Sequence, residues 1–490
     1  MHRSQEESEV ARPPAGGRPR VAVVGAGISG LAAAHRLREL RPDCELTVFE
    51  AADRPGGLLQ TVRRDGCLLE LSADNFLTSL PAATKLARRI GCGDDLIETT
   101  PGERRAYVVS RGQLQPVPAG FSLLSPSLLW PVLTTPTLSL RGKLRLAAER
   151  FVRPRQETTD ESLAQFARRR LGAEAYERLV QPLVGGIYTA DPERLSLLAT
   201  LPRFAQMERQ YGSLTRAALR GGAGDANADR ATSGARYSLF VAPREGMESL
   251  VAALAARLPT GALRLRTPVE RLERLPSGAW RLTAAGVTAD FDAVVLAAPA
   301  PKAATLLRTI DAALSADLGG IAHASSAVVA LAYDRSDLGW PLHGFGFVVP
   351  ACERRRILAG SFASEKFPGR APPGQVLVRA FLGGELQPEL LEQPDEALAC
   401  AAEEELAELL KIGAPPKWRQ VIRWPQAMPL YHLGHLDRIA RIEQALERSP
   451  GLALAGNAYH GVGVPQCVAS GEAAAERVVQ HLEAASKPLG

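Results

Sequence analysis

The chain has 490 residues, of which 46% are hydrophobic and 23% are charged, and its formal net charge is +5. This length is enough for two or three domains, and the composition is that of an ordinary globular protein. The chain contains no dense basic run with interleaved aromatic residues, which argues against nucleic acid as a partner. It also contains no apolar stretch long enough to predict a transmembrane helix.

The six cysteines are scattered and form no C-x-x-C pair, which argues against a disulfide framework or a zinc site and fits a reducing compartment. We therefore predict no metal site. Residues 1–19 are charged, rich in proline and glycine, and lack an apolar core. That composition predicts a disordered leader rather than a signal peptide.

The first elements after the leader are a strand, a glycine turn and a helix. Residues 21–24 form a short apolar run, as in a strand buried on both faces. Gly25, Gly27 and Gly30 follow in the spacing G-x-G-x-x-G, and a second strand ends at Glu50. The glycines permit a tight turn, close approach of a pyrophosphate and close helix–strand packing, and the helix N-terminus attracts phosphate. Glu50 stands where a carboxylate meets ribose hydroxyls, so the segment predicts a dinucleotide site that disfavours a 2′-phosphate.

A second glycine pair narrows the choice of cofactor. Arg54, Gly56 and Gly57 form an R-x-G-G extension shortly after Glu50. Paired glycines let the backbone approach a cofactor, and an arginine suits phosphate. The extension is typical of FAD-binding flavoproteins with a two-dinucleotide fold, so it favours FAD over NAD.

The next stretch contains predicted hairpins at residues 61–70 and 107–117. Residues 121–140 are apolar but carry three prolines, which rules out one continuous helix. Two interpretations of this segment stay open. It is either a loop that covers a core or a surface that dips into a bilayer with Trp130 as an interfacial anchor.

The remainder alternates helices and strands around one irregular segment. Residues 220–238 are rich in Gly, Ala and Asp and predict a mobile loop. The predicted helices are at 140–151, 162–183, 248–258, 394–410 and 470–485, and the predicted strands at 263–265, 269–272, 280–283, 291–296, 328–333, 346–349, 357–362, 376–382 and 451–455.

Several motifs away from the glycine turn carry a family resemblance. They are Gly-Ile-Tyr-Thr-Ala-Asp at 186–191, Gly-Phe-Gly-Phe-Val-Val-Pro at 344–350, the Arg-Trp to Gly-His segment at 423–435, and Gly-Asn-Ala-Tyr-His-Gly-Val-Gly-Val-Pro-Gln-Cys at 456–467. Over residues 20–485 the chain resembles the FAD-dependent protoporphyrinogen and coproporphyrinogen oxidases of haem synthesis, which belong to the monoamine-oxidase-like flavoproteins.

The resemblance implies an α/β plus α+β fold with three main parts. A discontinuous two-dinucleotide-binding (Rossmann-like) FAD domain takes residues 20–80, 238–302 and 448–485. A helical membrane-associated domain takes residues 81–205, a flexible insert takes residues 206–237, and a mixed-sheet substrate domain takes residues 303–447.

The resemblance also implies the site, with FAD bound non-covalently. Cys467, where related amine oxidases can carry a covalent flavin link, is interpreted as a packing residue. Loss of hydride from a meso carbon leaves a cation delocalised over two pyrroles, so no catalytic acid–base pair is nominated. The expected substrate pocket is Phe345, Gly346, Val348 and Phe381, and the expected cofactor residues are Gly25, Ala26, Gly27, Ser29, Gly30, Glu50, Arg54, Gly56, Gly57, Val269, Gly456, Val462, Gly463 and Val464.

The implied activity is the six-electron oxidation of a porphyrinogen to a porphyrin, with molecular oxygen as acceptor and hydrogen peroxide as by-product. The substrate stays open between protoporphyrinogen IX, with two propionates, and coproporphyrinogen III, with four. The expected location is cytoplasmic, with a peripheral position on the inner face of the cell membrane as an option. A membrane surface, the next haem-pathway enzyme and a second copy in a homodimer are the further partners left open.

The chain departs from the family at one turn. Bacterial members usually read G-P-[N/D]-S-F where residues 72–76 read Ser-Ala-Asp-Asn-Phe, and the loss of Gly and Pro changes the allowed backbone. Some members hold a substrate propionate with an arginine shortly after this turn, where this chain has Leu77. Arg104, Arg105 or Arg111 is the suggested substitute, since a guanidinium fork suits carboxylates.

Two other functions stay open from the sequence. One is a flavin amine or carotenoid oxidase, and the other is a non-catalytic FAD-binding partner of the haem pathway, which only the changed turn favours. His432, His435 and His460 are interpreted as structural histidines, because that is the commoner case.

Overall fold

The computed structural model describes residues 17–101, 105–119, 121–122, 124–126, 131, 134–157, 159–220 and 240–486. Most of the predicted leader, Trp130 and all of the predicted mobile loop except Arg220 lie outside these residues, so those predictions stay untested.

The strands are, in chain order, β1 (Arg20–Val24), β2 (Glu45–Phe49), β3 (Thr61–Arg64), β4 (Cys67–Glu70), β5 (Phe76–Leu77), β6 (Leu96–Glu98), β7 (Ala106–Ser110), β8 (Gln113–Pro116), β9 (Phe121–Ser122), β10 (Ser125–Pro126), β11 (Phe240–Pro243), β12 (Leu263–Arg264), β13 (Val269–Arg274), β14 (Trp280–Ala284), β15 (Val287–Phe291), β16 (Ala293–Leu296), β17 (His323–Asp334), β18 (Gly346–Val348), β19 (Ala359–Phe362), β20 (Gln375–Gly383), β21 (Trp418–Pro429) and β22 (Leu452–Leu454).

The α-helices are, in chain order, α1 (Ile28–Leu40), α2 (Ala82–Arg89), α3 (Leu140–Ala147), α4 (Leu163–Leu171), α5 (Ala173–Ala175), α6 (Gln181–Tyr188), α7 (Leu197–Thr200), α8 (Pro202–Tyr211), α9 (Leu214–Leu219), α10 (Met247–Ala255), α11 (Ala300–Leu307), α12 (Ala312–Gly319), α13 (Ala363–Lys366), α14 (Asp395–Leu410), α15 (His435–Glu447) and α16 (Val464–Ser486). A 3-10 turn at Ala148–Phe151 continues α3, and a π-helical turn at Tyr176–Val180 joins α5 to α6.

A five-stranded parallel sheet forms the first layer, in the order β12-β2-β1-β16-β22. Its central strands are buried because helices cover both faces. The packing cluster on one face includes α1, α2, α10 and α16, and the cluster on the other includes α11, α12 and α15. The sheet therefore collects strands from three separated parts of the chain, the arrangement expected of a discontinuous Rossmann-like domain.

A seven-stranded mixed sheet forms the second layer, in the order β21-β17-β20-β19-β18-β7-β8. Its pairs are antiparallel except for β18 with β7. One face packs against α14. The other is covered in two pieces, by the β3–β4 hairpin over β17, β20 and β21 and by the helical region from α3 to α9 over β7. β18 and β19, together with the part of β20 that pairs with β19, carry most of the residues expected at the substrate.

The first part of the flexible insert expected at residues 206–237 is largely helical. Residues 206–211 complete α8, and Leu214–Leu219 form α9. The side chains of Met207 and Leu214 are buried, and Ser213 caps α9 by accepting from the N–H of Arg216 at 3.1 Å. Buried apolar side chains and a side-chain cap are what order this segment.

The described packing also departs from the predicted limits of the helical segment, 81–205. The β7–β8 hairpin belongs to the mixed sheet, and α2 joins the cofactor-domain cluster because Ala83, Leu86 and Ala87 are buried there. The final helix begins at Val464, before the predicted residue 470. Pro465 is compatible with this start, because the first turn of a helix leaves backbone N–H groups without intrahelical partners and proline has no N–H. Among the described residues, no helix combines the length and apolar character needed to cross a bilayer.

Candidate functional site

The glycine turn between β1 and α1 has open space at one glycine and none at two others. A Cβ on Gly30 would lie 1.9 Å from the carbonyl oxygen of Gly25, and one on Gly25 would lie 2.7 Å from the carbonyl oxygen of Ala297. A Cβ on Gly27 would meet nothing within 4 Å. Packing therefore requires glycine at positions 25 and 30. Gly27 instead leaves an open approach to the N-terminus of α1, where free N–H groups suit a pyrophosphate.

Glu50 lies at the carboxyl end of β2, beside this turn. Its carboxylate accepts the backbone N–H of Ala26 at 2.7 Å and that of Ala52 at 2.9 Å. These bonds fix its orientation at the edge where dinucleotides bind in doubly wound sheets. The backbone of Thr267 donates to the carbonyl oxygen of Glu50 at 2.8 Å, so Val269, buried at the start of β13, is brought to the same end.

Arg54 shapes the loop of the second glycine pair. Its guanidinium donates to the carbonyl oxygens of Gly57 at 2.7 Å and Leu59 at 3.2 Å. Gly56 forms an isolated bridge with Gly27, and a Cβ on Gly57 would lie 3.3 Å from the Cα of Gly27. The loop thus lies directly against the glycine turn. The geometry assigns Arg54 a positioning role, and its contact with a phosphate stays a prediction.

The segment before α16 forms the other end of the site. Gly456 has a φ of +146°, a conformation that favours glycine. The hydroxyl of Tyr431 donates to the carbonyl oxygen of Asn457 at 2.6 Å and accepts the N–H of Gly461 at 2.7 Å. These bonds fix the loop that carries the remaining expected cofactor residues, Val462, Gly463 and Val464.

The two ends meet where α1 crosses α16. A Cβ on Gly471 would lie 2.1 Å from the backbone oxygen of Ser29, so this crossing needs glycine. It brings two helix N-termini to the same region, which favours a negatively charged group there. Cys467 is buried beside Ser29, and burial raises the pKa of its thiol to about 11. A neutral, inert thiol is what the packing interpretation predicts.

Most of the expected substrate residues share one face of the mixed sheet. Val348 stands opposite Ala359, which stands opposite Phe381, and directly opposed residues point to the same face. Gly346 lies two residues before Val348 and therefore on that face too. Phe345 lies just before the strand and is buried. We call the face formed by β18, β19 and β20 on this side the substrate face.

Of the three arginines suggested by the sequence for a propionate, the two that the structure describes are not brought to this face. Arg111 lies exposed in the β7–β8 turn, where its backbone N–H donates to Glu353 at 2.8 Å. Arg105 is exposed before β7, and Arg104 lies outside the described residues. The structure places Arg379 on the substrate face instead, almost wholly buried. A lone arginine in an otherwise apolar strand was the signal available in the sequence.

The three histidines have structural partners. His432 lies with its Nε2 3.0 Å from Glu385. His435 stacks on Tyr431 with ring centroids 4.0 Å apart, and burial lowers its pKa to about 4. His460 is exposed and pairs with a surface glutamate. None of the three lies on the substrate face.

A family model matches most of the chain. It is described as flavin containing amine oxidoreductase, and its matched span, residues 28–479, begins just after Gly27 and includes Glu50 and the loop before α16. The open approach at Gly27, the fixed carboxylate of Glu50 and the two converging helix N-termini suit a dinucleotide.

Several curated relatives align over nearly the whole chain. The coproporphyrinogen III oxidase of Bacillus subtilis (strain 168) is 32% identical over 472 residues, covering 95% of this chain and 99% of the relative. The enzyme of that name from Propionibacterium freudenreichii subsp. freudenreichii is 35% identical, covering 95% and 91%. The chloroplastic protoporphyrinogen oxidase of Nicotiana tabacum is 31% identical, covering 94% and 85%.

Solved structures share the fold. A crystal structure from Exiguobacterium sp. 255-15, of a candidate protoporphyrinogen oxidase, has a TM-score of 0.84 and 31% identity and covers 95% of this chain and 99% of that one. Cyclohexylamine oxidase from Brevibacterium oxydans IH-35A has a TM-score of 0.69 at 17% identity, covers 95% and 100%, and shows the fold alone. The predicted α/β fold with a mixed sheet and the predicted cofactor, FAD, are confirmed. This chain belongs to the flavin-containing amine oxidoreductase family.

Proposed function

We propose that this chain is an FAD-dependent porphyrinogen oxidase of haem biosynthesis, with coproporphyrinogen III as its preferred substrate. The observation that carries the proposal is its end-to-end similarity, at 30–35% identity, to three bacterial proteins named coproporphyrinogen III oxidase. They align over 91–99% of their own length.

The reaction removes six electrons and six protons from a porphyrinogen in three two-electron steps, while three O₂ become three H₂O₂. When bound, FAD supplies the hydride acceptor and passes the electrons to oxygen. The chain's own residues hold FAD through the glycine turn, Glu50 and the loop before α16. They orient the substrate against Val348 and Phe381, which are half-buried and apolar. Orientation of this kind is worth several orders of magnitude in rate.

The test is oxidation of both porphyrinogens by the FAD-loaded protein. Porphyrin fluorescence and peroxide are followed under air and under argon, with each substrate at matched concentrations. We expect porphyrin and peroxide to form together only under air, and kcat/KM to be higher for coproporphyrinogen III.

Other results would redirect the assignment. A higher kcat/KM for protoporphyrinogen IX would reject the substrate preference but keep the reaction. Peroxide from primary amines or polyenes, with no porphyrin from either porphyrinogen, would favour an amine or carotenoid oxidase. FAD binding with no peroxide from any of these compounds would favour a non-catalytic partner.

We also propose that the protein is cytoplasmic and docks on an anionic membrane through α3 and the turn after it. Leu140, Leu144 and Phe151 are 73%, 61% and 69% exposed, at spacings that fall on one helical side. Arg141 and Arg150 are exposed beside them. Exposed apolar side chains flanked by cations are the signature of an interfacial helix.

Vesicle co-sedimentation tests this surface. We expect the protein to bind phosphatidylglycerol vesicles more than phosphatidylcholine vesicles, and Leu140→Ser/Leu144→Ser to lower binding several-fold. The matched control is Val287→Ser, because Val287 is 66% exposed on β15, in another part of the molecule. Equal binding by the double variant and the wild type would reject this surface.

A homodimer and contact with the next haem-pathway enzyme stay predictions, which sedimentation velocity with and without that enzyme would check.

A further inference from the structure

Three buried charged side chains meet beside the substrate face. Asp74 lies in the turn after β4, Lys366 ends α13, and Arg379 lies in β20. Lys366 donates its Nζ to the two carboxylate oxygens of Asp74 at 3.1 and 3.2 Å, and the Nη1 of Arg379 lies 3.3 Å from Asp74. The side chains are 15% exposed for Asp74, 14% for Lys366 and 1% for Arg379. Water therefore screens this cluster only weakly.

The charges of this neighbourhood do not balance. Buried Arg370 interacts with both Asp74 and Glu70, and with the exposed Arg63 and Glu245, which pair with each other and cancel. Without that surface pair, the set has three cations and two carboxyl groups. Burial raises the pKa of Glu70 to about 7, so near neutral pH that carboxyl group is only partly ionised. The set carries an excess of positive charge that is largely shielded from water. Such a charge is strongly unfavourable when unpaired, and a bound anion would compensate it.

The strand register places the end of this cluster on the substrate face. Gly346 stands opposite Ser361, which stands opposite Arg379, in the row next to the one that holds Val348 and Phe381. The guanidinium of Arg379 lies 5.2 Å from the ring centroid of Phe381. Arg379 is thus at the border between the covered core and the expected pocket.

Two polar atoms in this row have no hydrogen-bond partner. The Nε of Arg379 and the Oγ of Ser361 are both buried and unpaired among the described residues. Directly opposed residues in paired strands have Cβ atoms about 5 Å apart, so the two donors can address one group. A buried donor without a hydrogen bond is unfavourable, and a carboxylate has two oxygens that could accept from both donors.

We infer that Arg379 and Ser361 hold one carboxylate of the substrate. Asp74, which is itself paired with Lys366, and the carbonyl oxygen of Ser72 fix the guanidinium from its other side. The inference rests on the proposed function, which supplies a substrate rich in propionates. Asp74 and Lys366 are positioning residues, and Asp74 sits in the turn that departs from the family. The held carboxylate is remote from the reacting meso carbon, so the contact serves binding and orientation.

Ser361→Ala separates binding from stability. Removal of an unpaired buried hydroxyl should leave the melting temperature unchanged or raised, because nothing in the protein loses a partner. The variant should nevertheless bind coproporphyrin III, the expected product, about tenfold more weakly, and bind its tetramethyl ester as the wild type does. In turnover we expect KM for coproporphyrinogen III to rise with kcat unchanged. Porphyrin fluorescence titrations of the FAD-loaded enzyme give both affinities.

Two further variants complete the test. Arg379→Lys keeps the charge and loses the Nε donor. It should therefore lower the ratio of the affinity for coproporphyrin III to the affinity for its tetramethyl ester, as Ser361→Ala does. Ser364→Ala is the matched control, because its Oγ accepts the N–H of Leu377 at 3.1 Å and its loss should lower stability without changing that ratio.

The outcomes separate this inference from the proposed function. Suppose that the wild type oxidises coproporphyrinogen III, and that Ser361→Ala and Arg379→Lys keep its ratio of acid affinity to ester affinity. The carboxylate site is then rejected and the proposed function stands. A wild type that oxidises no porphyrinogen overturns the function, and the binding ratios still report whether this face holds a carboxylate. If the wild type binds neither acid nor ester, both fail.

Discussion

Gly27 and Gly30 belong to one sequence motif but stand in opposite surroundings. We expect Gly30→Ala to destabilise the apoprotein by about 3 kcal/mol, because its Cβ would collide with backbone at 1.9 Å. Gly27→Ala should leave the apoprotein folded, since its φ is −67° and its Cβ meets nothing within 4 Å. It should instead weaken FAD by about tenfold, about 1.4 kcal/mol, because the methyl group enters the pyrophosphate approach.

Thermal unfolding of the apoproteins and fluorescence titration with FAD check both variants. The expected result is a crossed pattern, in which one variant loses stability and the other loses affinity. If Gly27→Ala bound FAD as the wild type does, the assignment of the pyrophosphate to this turn would be wrong.

Glu70 joins two elements, the β3–β4 hairpin and the helix α10. Its carboxylate accepts the N–H of Met247 at 2.8 Å and the hydroxyl of Thr61 at 2.9 Å. Burial raises the pKa of Glu70 from 4.5 to about 7, and these two hydrogen bonds oppose the shift. The hairpin that covers part of the substrate sheet is therefore tied to the cofactor domain by a group that titrates near neutral pH.

The pH dependence of stability follows from that shift. Between pH 4.5 and about 7 the folded state binds the Glu70 proton more tightly than the unfolded state, so the free energy of unfolding falls as pH rises. The contribution is complete below the unfolded pKa and lost above the folded one. We expect Glu70→Gln to remove roughly 1–3 kcal/mol of this fall, measured by urea unfolding from pH 4.5 to 8. The exposed Glu270→Gln is the control, and an unchanged pH profile in Glu70→Gln would contradict the assignment.

Tyr431 connects the two layers of the whole molecule. It follows β21 of the mixed sheet, and its hydroxyl bonds to Asn457 and Gly461 in the cofactor loop before α16. Tyr431→Phe leaves two backbone groups of that loop unpaired. We expect it to lower the free energy of unfolding by about 1–3 kcal/mol and to speed the release of FAD, because the loop carries residues expected to hold the flavin end of the cofactor.

Stopped-flow or dilution measurements of FAD release, together with urea unfolding, test this link. Tyr176→Phe is the matched control, since its hydroxyl contacts Glu193 at 3.4 Å within the helical region and no cofactor loop. An equal rate of FAD release in the two variants would remove Tyr431 from the coupling between layers.

The sequence by itself determined the cofactor end of this protein. The glycine spacing, Glu50 and the R-x-G-G loop act within one βαβ stretch, where local backbone geometry is nearly sufficient to define a dinucleotide site. The motif at 456–467 then identified the family. The segments 300–307, 312–319 and 435–447 were not predicted as helices, because their apolar faces are recognisable only beside the sheet that they cover.

The tertiary structure alone decided which residues share the substrate face. Arg379 and Asp74 are far apart in the chain, and nothing in either local pattern indicates that they meet. Their contact depends on the pairing of β18, β19 and β20, since a shift of one residue would turn Arg379 and Ser361 to the other face. Register of this kind is set by packing between distant segments, which is why the sequence pointed to Arg105 and Arg111, both exposed, and not to the buried Arg379.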